Sequence, residues 1–428
     1  MNVTAPSPSG RRAPFPEGGR DWDDLRADMR ARSADDIDWR NGRAPLYVFH
    51  NDQETYEIGR RAYFEFFSEN ALGRKRAFHG IQSMERDVLD FGLSLFSAPS
   101  SGEGVFTSGG SESILIGMKA ARDAWRAEKA ERGPGSAMNI VMPDTAHPAF
   151  DKASDLLGFE IRRAAVAPDG RADPEAMRPL IDAETIAIVG SAPCFPYGVI
   201  DPIDRLSALA GETGKWLHVD ACVGGWIAPF FRMNGRGTPD FDFRFEGVRS
   251  ISADLHKFGF CPKPASTVFF RDAADAERAT FVADAWPSGR FETSTLAGTR
   301  PGGAVAAAWA VLNHLGTSGY RDAAARLAEM VDLYVEGITA MEGLRMIAQP
   351  DLSIIAFTSE RDNMFDVATE LGTHGWLVGQ TRRPPGIHSM MSLFHAPARE
   401  AFLADLAASL ERVRAGKGRS GAESDVIY

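Results

Sequence analysis

Between residues 104 and 270 the chain alternates short apolar runs with amphipathic stretches, and this rhythm constrains the fold more than any other feature. Runs at 104–107, 140–142, 160–165, 186–189, 216–220, 250–253 and 266–270 have the length and composition of strands. Segments at 112–132, 148–157, 174–181 and 203–212 read as helices between them. Parallel strands need crossover connections and helices supply them. The pattern therefore predicts an α/β architecture: a large domain with a mostly parallel seven-stranded sheet, covered on both faces. The last third differs. Helices at 303–316 and 319–343 lead to a strand at 353–358, a helix near 364–374, a strand near 388–394 and a final helix at 397–414. This predicts a smaller C-terminal α+β domain.

Residues 1–20 are rich in Pro, Gly, Ser and Arg and read as a disordered tail. A short amphipathic helix is expected within 21–40, and a helix over 53–72 with an aromatic face that packs into the core. The expected division is a helical segment at 21–75, a large domain at 76–300, a small domain at 301–415 and a flexible tail at 416–428. The 58 acidic residues outnumber the 47 basic ones, for a net charge of −11, which argues against a general nucleic-acid binder. Cys194, Cys222 and Cys261 form no disulfide framework and no zinc pattern, so no metal site is expected and a reducing cytoplasm is the simple inference. The N-terminus lacks the apolar core of a signal peptide. The longest uncharged stretch, 301–320, carries too many polar residues and glycines to span a membrane.

Chemistry concentrates at the ends of the strand-like runs. Gly109-Gly110-Ser111-Glu112-Ser113 follows the first of them and opens a helix. Such a turn either caps a helix or forms an anion cup, in which backbone N–H groups, the helix dipole and the Ser111 hydroxyl face a phosphate. Asp220 ends the apolar run 216–219, where a buried carboxylate needs a partner. Ser252-Ala253-Asp254-Leu255-His256-Lys257 then places one lysine directly after a histidine. An apolar run ending in Asp, followed by Ser/Asp-x-His-Lys, is how many pyridoxal 5′-phosphate enzymes read. Lys257 would form the Schiff base with the cofactor aldehyde, and Asp220 would keep the pyridine nitrogen protonated. His256 is a candidate for the cofactor phosphate. His147 lies at a strand-to-helix junction on the edge where ligands bind in open α/β sheets, as expected of an imidazole stacked on the pyridine ring. Lys263 is either a solvated loop lysine or a second cation beside the cofactor.

The segments GGSESILIGMKAARD, HVDACVGGW, FDFRFEGVRSISADLHKFGFCPK, TLAGTRPGG and PPGIH (384–388) together resemble the sphingosine-1-phosphate lyases. These belong to the group II decarboxylase-like branch of the fold-type I pyridoxal-phosphate enzymes. The resemblance runs from about residue 40 to 396. It implies Lys257 as the Schiff-base lysine, Asp220 as the partner of the pyridine nitrogen, His147 as the stacking ring, and Gly110, Ser111 and His256 as phosphate-binding positions. It implies a homodimer, with Thr299 reaching the cofactor phosphate of the neighbouring subunit. It also implies Lys263 as a second active-site lysine and Tyr47 as a neighbour of the substrate phosphate.

This chain departs from the family's pattern in two places. Asn70 is retained, but the histidine expected three residues later is Gly73, which leaves Arg74, Lys75 or Arg76 as replacement anion donors or as a solvated run. Arg382-Arg383 stands where the family has an apolar residue. The implied activity is a retro-aldol carbon–carbon cleavage of a phosphorylated long-chain amino alcohol to a fatty aldehyde and phosphoethanolamine, with the base unassigned among Lys263, Lys257 and the substrate phosphate. The alternatives are a lyase for another anionic amino alcohol or β-hydroxy amino acid, or an amino-acid decarboxylase of the same branch, in which Arg382 orients a carboxylate. An inactive cofactor-binding regulator would lack turnover.

Overall fold

A computed structural model describes residues 12–13, 15–128 and 137–423. The seven expected strands are present: β1 (Glu103–Thr107), β2 (Asn139–Pro143), β3 (Glu160–Ala164), β4 (Thr185–Ser191), β5 (Trp216–Asp220), β6 (Val248–Ala253) and β7 (Ser266–Phe270). They form one sheet in the order β1-β7-β6-β5-β4-β2-β3. β2 to β6 run parallel, and β7 is antiparallel to both β6 and β1. The C-terminal ends of β1, β2, β4, β5 and β6 therefore share one edge with the start of β7.

Alternation along the strands sends side chains into two cores. On one face Ile188, Val219, Ile251 and Phe269 pack beneath helix α3 (His79–Leu95) and the helix Ile203–Thr213. On the other, Ala187, Val189, Val268 and Phe270 pack beneath helix α4 (Gly110–Glu128) and the helix Ala149–Leu157. Phe269 fits because α3 and β1 present glycines to it: a Cβ on Gly92 would lie 2.2 Å from its ring, and one on Gly104 2.9 Å. The small sheet is antiparallel, in the order 344–346, 354–359, 385–390, 379–382, with helices Met364–Thr373 and Arg399–Arg414 packed together beside it.

Several boundaries differ from expectation. The helix expected over 53–72 stops at Glu65. Beyond it the chain pairs with residues 300–302: Ala71 N donates to Arg300 O and Gly302 N to Glu69 O. This tertiary pairing competes with helix continuation. Its aromatic face is not all core, since Phe64 and Phe67 remain 62% and 63% exposed. The helix α3 was not anticipated, nor were the helix Ala273–Ala279, the hairpin 281–283/291–293 and the strands 344–346 and 379–382. The strand expected near 388–394 lies at 385–390. The two helices expected at 303–316 and 319–343 form one element, Gly302–Thr339, broken at Gly316 (φ 52°, ψ −172°). The expected tails fall partly on 1–11, 14 and 424–428, and the end of the expected helix 112–132 on 129–132; these lie outside the described residues.

A buried ionic cluster pins the 70–76 loop. Glu85 of α3 accepts from Arg300 Nη1 at 3.1 Å and forms an ion pair with Arg74, its Oε2 3.0 Å from Nε. Arg300 also donates to the carbonyl of Phe106 at 3.1 Å. Removing the anion leaves a buried guanidinium uncompensated. Glu85→Ala is expected to destabilise the fold by about 3–5 kcal/mol, read as a lower denaturant midpoint with an unchanged slope.

Candidate active site

The shared sheet edge carries a cavity of about 320 Å³. Its wall includes Ser108 to Glu112 at the start of α4, His147 after β2, Ser191 at the end of β4, Asp220 at the end of β5, and Asp254, His256 and Lys257 after β6. Five segments far apart in the chain meet because each follows or ends a strand at the same edge. The chain order turns back between β2–β3 and β4–β7, the position at which open α/β sheets bind ligands.

Lys257 Nζ lies 3.1 Å from Asp254 Oδ2. Asp254, not singled out from the sequence, is 2% exposed. It accepts a 2.5 Å hydrogen bond from Ser266 Oγ on β7, and His256 Nε2 stands 3.7 Å away. Burial pushes its carboxyl pKa up, but Lys257, His256 and the Ser266 hydroxyl together outweigh burial and hold it below its ordinary value. A hydroxyl chain runs onward from Ser266 to Ser113 of α4 (2.8 Å) and from there to Thr107 of β1 (2.6 Å). The string Ser252–Lys257 did carry a signal for Asp254: a carboxylate three residues before a lysine, across a tight turn.

Asp220 is buried, and its Oδ1 accepts from Cys222 N (3.1 Å) and Ser252 Oγ (3.2 Å). These two donors fix the orientation of the carboxylate. His147 Nδ1 accepts from Ala149 N at 3.1 Å. Burial lowers the His147 pKa below its ordinary value, with Asp220 opposing and Lys257 assisting. The ring is therefore neutral near pH 7 and carries its proton on Nε2. Its edge meets Phe195 at 6.0 Å between centroids. His256 Nδ1 accepts from Ala265 N at 3.3 Å, and burial lowers its pKa as well.

At the start of α4, a Cβ on Gly110 would lie 2.7 Å from Cys222 Sγ and 3.0 Å from Asp254 Oδ2. Glycine is thus required there by the approach of the helix to the β5 and β6 ends. Ser111 lines the cavity from the exposed side. The first-turn N–H groups of Gly110 and Ser111 have no acceptor within the helix. Ser191 Oγ, also missed from the sequence, is buried in the cavity wall without a hydrogen-bond partner among the described residues.

These residues fit pyridoxal phosphate. The cavity offers a primary amine for an aldehyde, a fixed carboxylate for a ring nitrogen, a neutral imidazole, an orphaned hydroxyl and an unsatisfied helix N-terminus for a phosphate.

The remaining expected site residues lie outside this wall. Lys263 lines an adjoining cleft of about 290 Å³ that shares His256 with the first, among Trp39, Tyr56, Tyr63 and Phe64. Its Nζ donates to the carbonyl of Tyr47 at 2.9 Å, and burial, reinforced by Lys257, lowers its pKa. Tyr47 holds an unusual φ of 63° and is 43% exposed. Asn70 and Thr299 bond each other at 3.3 Å, and Asn70 Oδ1 also accepts from Leu72 N and Arg300 N. Arg74 is committed to Glu85, and Lys75 stands 3.6 Å from Glu292. Arg382 is exposed on the strand Gly379–Arg382, 4.0 Å from Glu423. Asn70, Arg74, Thr299 and Arg382 thus lie outside the wall of this cavity and make local contacts within the chain.

Residues 81–360 match the pyridoxal-dependent decarboxylase conserved domain. A sphingosine-1-phosphate lyase of Oryza sativa subsp. japonica is 34% identical over 94% of this chain and 75% of its own length. A probable L-tyrosine/L-aspartate decarboxylase of Methanothermobacter thermautotrophicus is 35% identical over 79% of this chain and 89% of its own. The solved sphingosine-1-phosphate lyase of Burkholderia pseudomallei superposes with a TM-score of 0.89 at 33% identity, covering 95% of this chain and 94% of that one. The architecture, the convergent lysine and carboxylates, and these likenesses agree: the chain belongs to the sphingosine-1-phosphate lyase family of pyridoxal-phosphate-dependent enzymes.

Proposed function

We propose that this enzyme cleaves a phosphorylated long-chain amino alcohol, such as sphingosine 1-phosphate, into a fatty aldehyde and phosphoethanolamine by retro-aldol chemistry. The observation that carries the reading is the convergence of Lys257, Asp220, His147 and the α4 N-terminus on one cavity, in a chain so similar to lyases of that name. Pyridoxal phosphate bound there supplies an electron sink for the pair released when a bond to the amine-bearing carbon breaks.

The chain's own residues do the rest. Lys257 provides the amine that anchors the cofactor. Asp220, held by Cys222 N and Ser252 Oγ, would hold the pyridine nitrogen. Neutral His147 would support the ring, and Gly110, Ser111 and His256 would hold the phosphate. Lys263 meets the substrate. Its lowered pKa brings it closer to accepting a hydroxyl proton, which makes it our choice of base. The aromatic cleft beside Lys263 offers apolar walls to an amphiphile. We further assign a homodimer, in which Thr299 serves the neighbouring subunit's site. The exposed Phe64 and Phe67, whose rings meet edge-on with centroids 6.4 Å apart, support an apolar contact surface. Three free, buried cysteines support a reducing, cytoplasmic setting. No helix among the described residues is long and apolar enough to cross a membrane.

Amino-acid decarboxylation is the second reading, favoured by the likeness to the Methanothermobacter protein. Its motivating residue, Arg382, sits instead at the exposed edge near Glu423, which weakens it. A panel of sphingosine 1-phosphate, phosphorylated and unphosphorylated amino alcohols, and amino acids separates the two. Aldehyde release from the phosphorylated amino alcohol is expected; carbon dioxide without aldehyde would overturn the lyase reading.

Lys257→Ala is expected to reduce turnover to background while the circular dichroism spectrum is retained. Measurable steady-state turnover in that variant would refute the cofactor-anchoring role. For His147, a nuclear magnetic resonance titration of labelled histidines, assigned with His147→Gln, should give a midpoint below about 6.5. A buried imidazole binds its proton less readily than in the unfolded chain. Its stabilising contribution is therefore present above that pH and lost as the pH falls through it. A midpoint at or above the ordinary value would contradict the neutral ring.

A further inference from the structure

Glu112 is the third residue of α4 and is 8% exposed. A carboxylate at the rim of an anion cup would repel a phosphate, yet its two oxygens are fully engaged elsewhere. Oε2 accepts from Ser108 N and Ser108 Oγ, each at 2.7 Å. Oε1 accepts from Leu296 N at 2.8 Å and from Ala297 N at 3.4 Å. One side chain thus joins two loops 184 residues apart in the chain. The first, Ser108–Gly109, lines the cavity beside Gly110 and Ser111. The second leads into Thr299, whose hydroxyl accepts from Asn70. Helix capping does not require this arrangement: the cap needs an acceptor near the first N–H groups, not a second loop held on the opposite oxygen.

We infer that Glu112 is a positioning residue that makes the shape of the phosphate cup depend on the order of the 294–299 segment. With four donors aimed at it, the carboxylate's charge is stabilised where it stands. The Ser108–Gly109 backbone is then held where the first N–H groups of α4 point into the cavity. Loosening the 296–297 loop frees Glu112, and freeing Glu112 releases the cup. The same coupling runs backward by linkage, so a bound phosphate group orders the distant loop. This inference rests on the reading that the cavity holds pyridoxal phosphate.

The test compares the wild type, E112Q and L296P by pyridoxal-phosphate titration and by amide hydrogen exchange at 106–113 and 294–300, with and without the cofactor. E112Q is nearly isosteric but turns an amide NH₂ toward donors on one of its two sides. L296P deletes an N–H from the far loop and leaves the cavity wall intact; the Leu296 side chain is 69% exposed, so little packing is lost. Both variants are expected to weaken cofactor binding by about tenfold, the cost of hydrogen bonds to a charged group. In the wild type the cofactor should slow exchange in both segments; in the variants that joint protection should disappear. Unchanged cofactor affinity in L296P, with its loop exchanging faster, would overturn the coupling and leave Glu112 a local fastener. If E112Q fails to fold, L296P alone decides the matter. A wild type that binds no pyridoxal phosphate would instead overturn the functional reading.

Discussion

A single buried carboxylate, Asp254, holds the working edge of this fold together. It follows β6, receives the Ser266 hydroxyl from β7, bonds Lys257 and stands close to His256. Through Ser266 and Ser113 it also reaches α4, whose start is pressed so close to it that Gly110 admits no side chain. A charge this deeply buried is tolerated only when surrounded by donors. The requirement runs in both directions: two of its partners, His256 and Lys257, line the cavity, and satisfying the acid fixes where they stand.

Two further buried acids repeat the device at loops that secondary structure leaves unsupported. Glu85 gathers Arg74 and Arg300, and Glu112 gathers the amides of Ser108, Leu296 and Ala297. Arg74 reads from the sequence as an anion donor or as part of a solvated run, and within this chain it pairs with Glu85 because α3 brings that carboxylate within 3.0 Å. The substrate question therefore moves to the cleft that Lys263 shares with Tyr56, Tyr63 and Phe64, where apolar walls border a lysine of lowered pKa.

The chain's repeating rhythm specified the seven strands of the large sheet, and the strings around Asp220 and Lys257 specified a cofactor site. Both are local signals. Strand periodicity and the chemistry of an amine placed beside a buried acid are written within a few residues. Asn70, Thr299, Asp254, Glu112 and Ser191 were legible only in part or not at all. Their roles depend on contacts across as many as 230 residues, such as that between Asn70 and Arg300. No spacing rule reaches so far.

By itself, then, the sequence determined the α/β class, the strand count, the two-helix reading around Gly316 and the lysine–aspartate pair, because periodicity and short motifs carry that information. Tertiary structure alone decided that the 53–72 helix ends at Glu65, that Arg74 pairs with Glu85, and that Asp254 and Glu112 stand in the cavity wall. The physical reason is common to all three: a buried polar group must find its partner wherever the fold brings one, and that partner is set by the packing of whole elements.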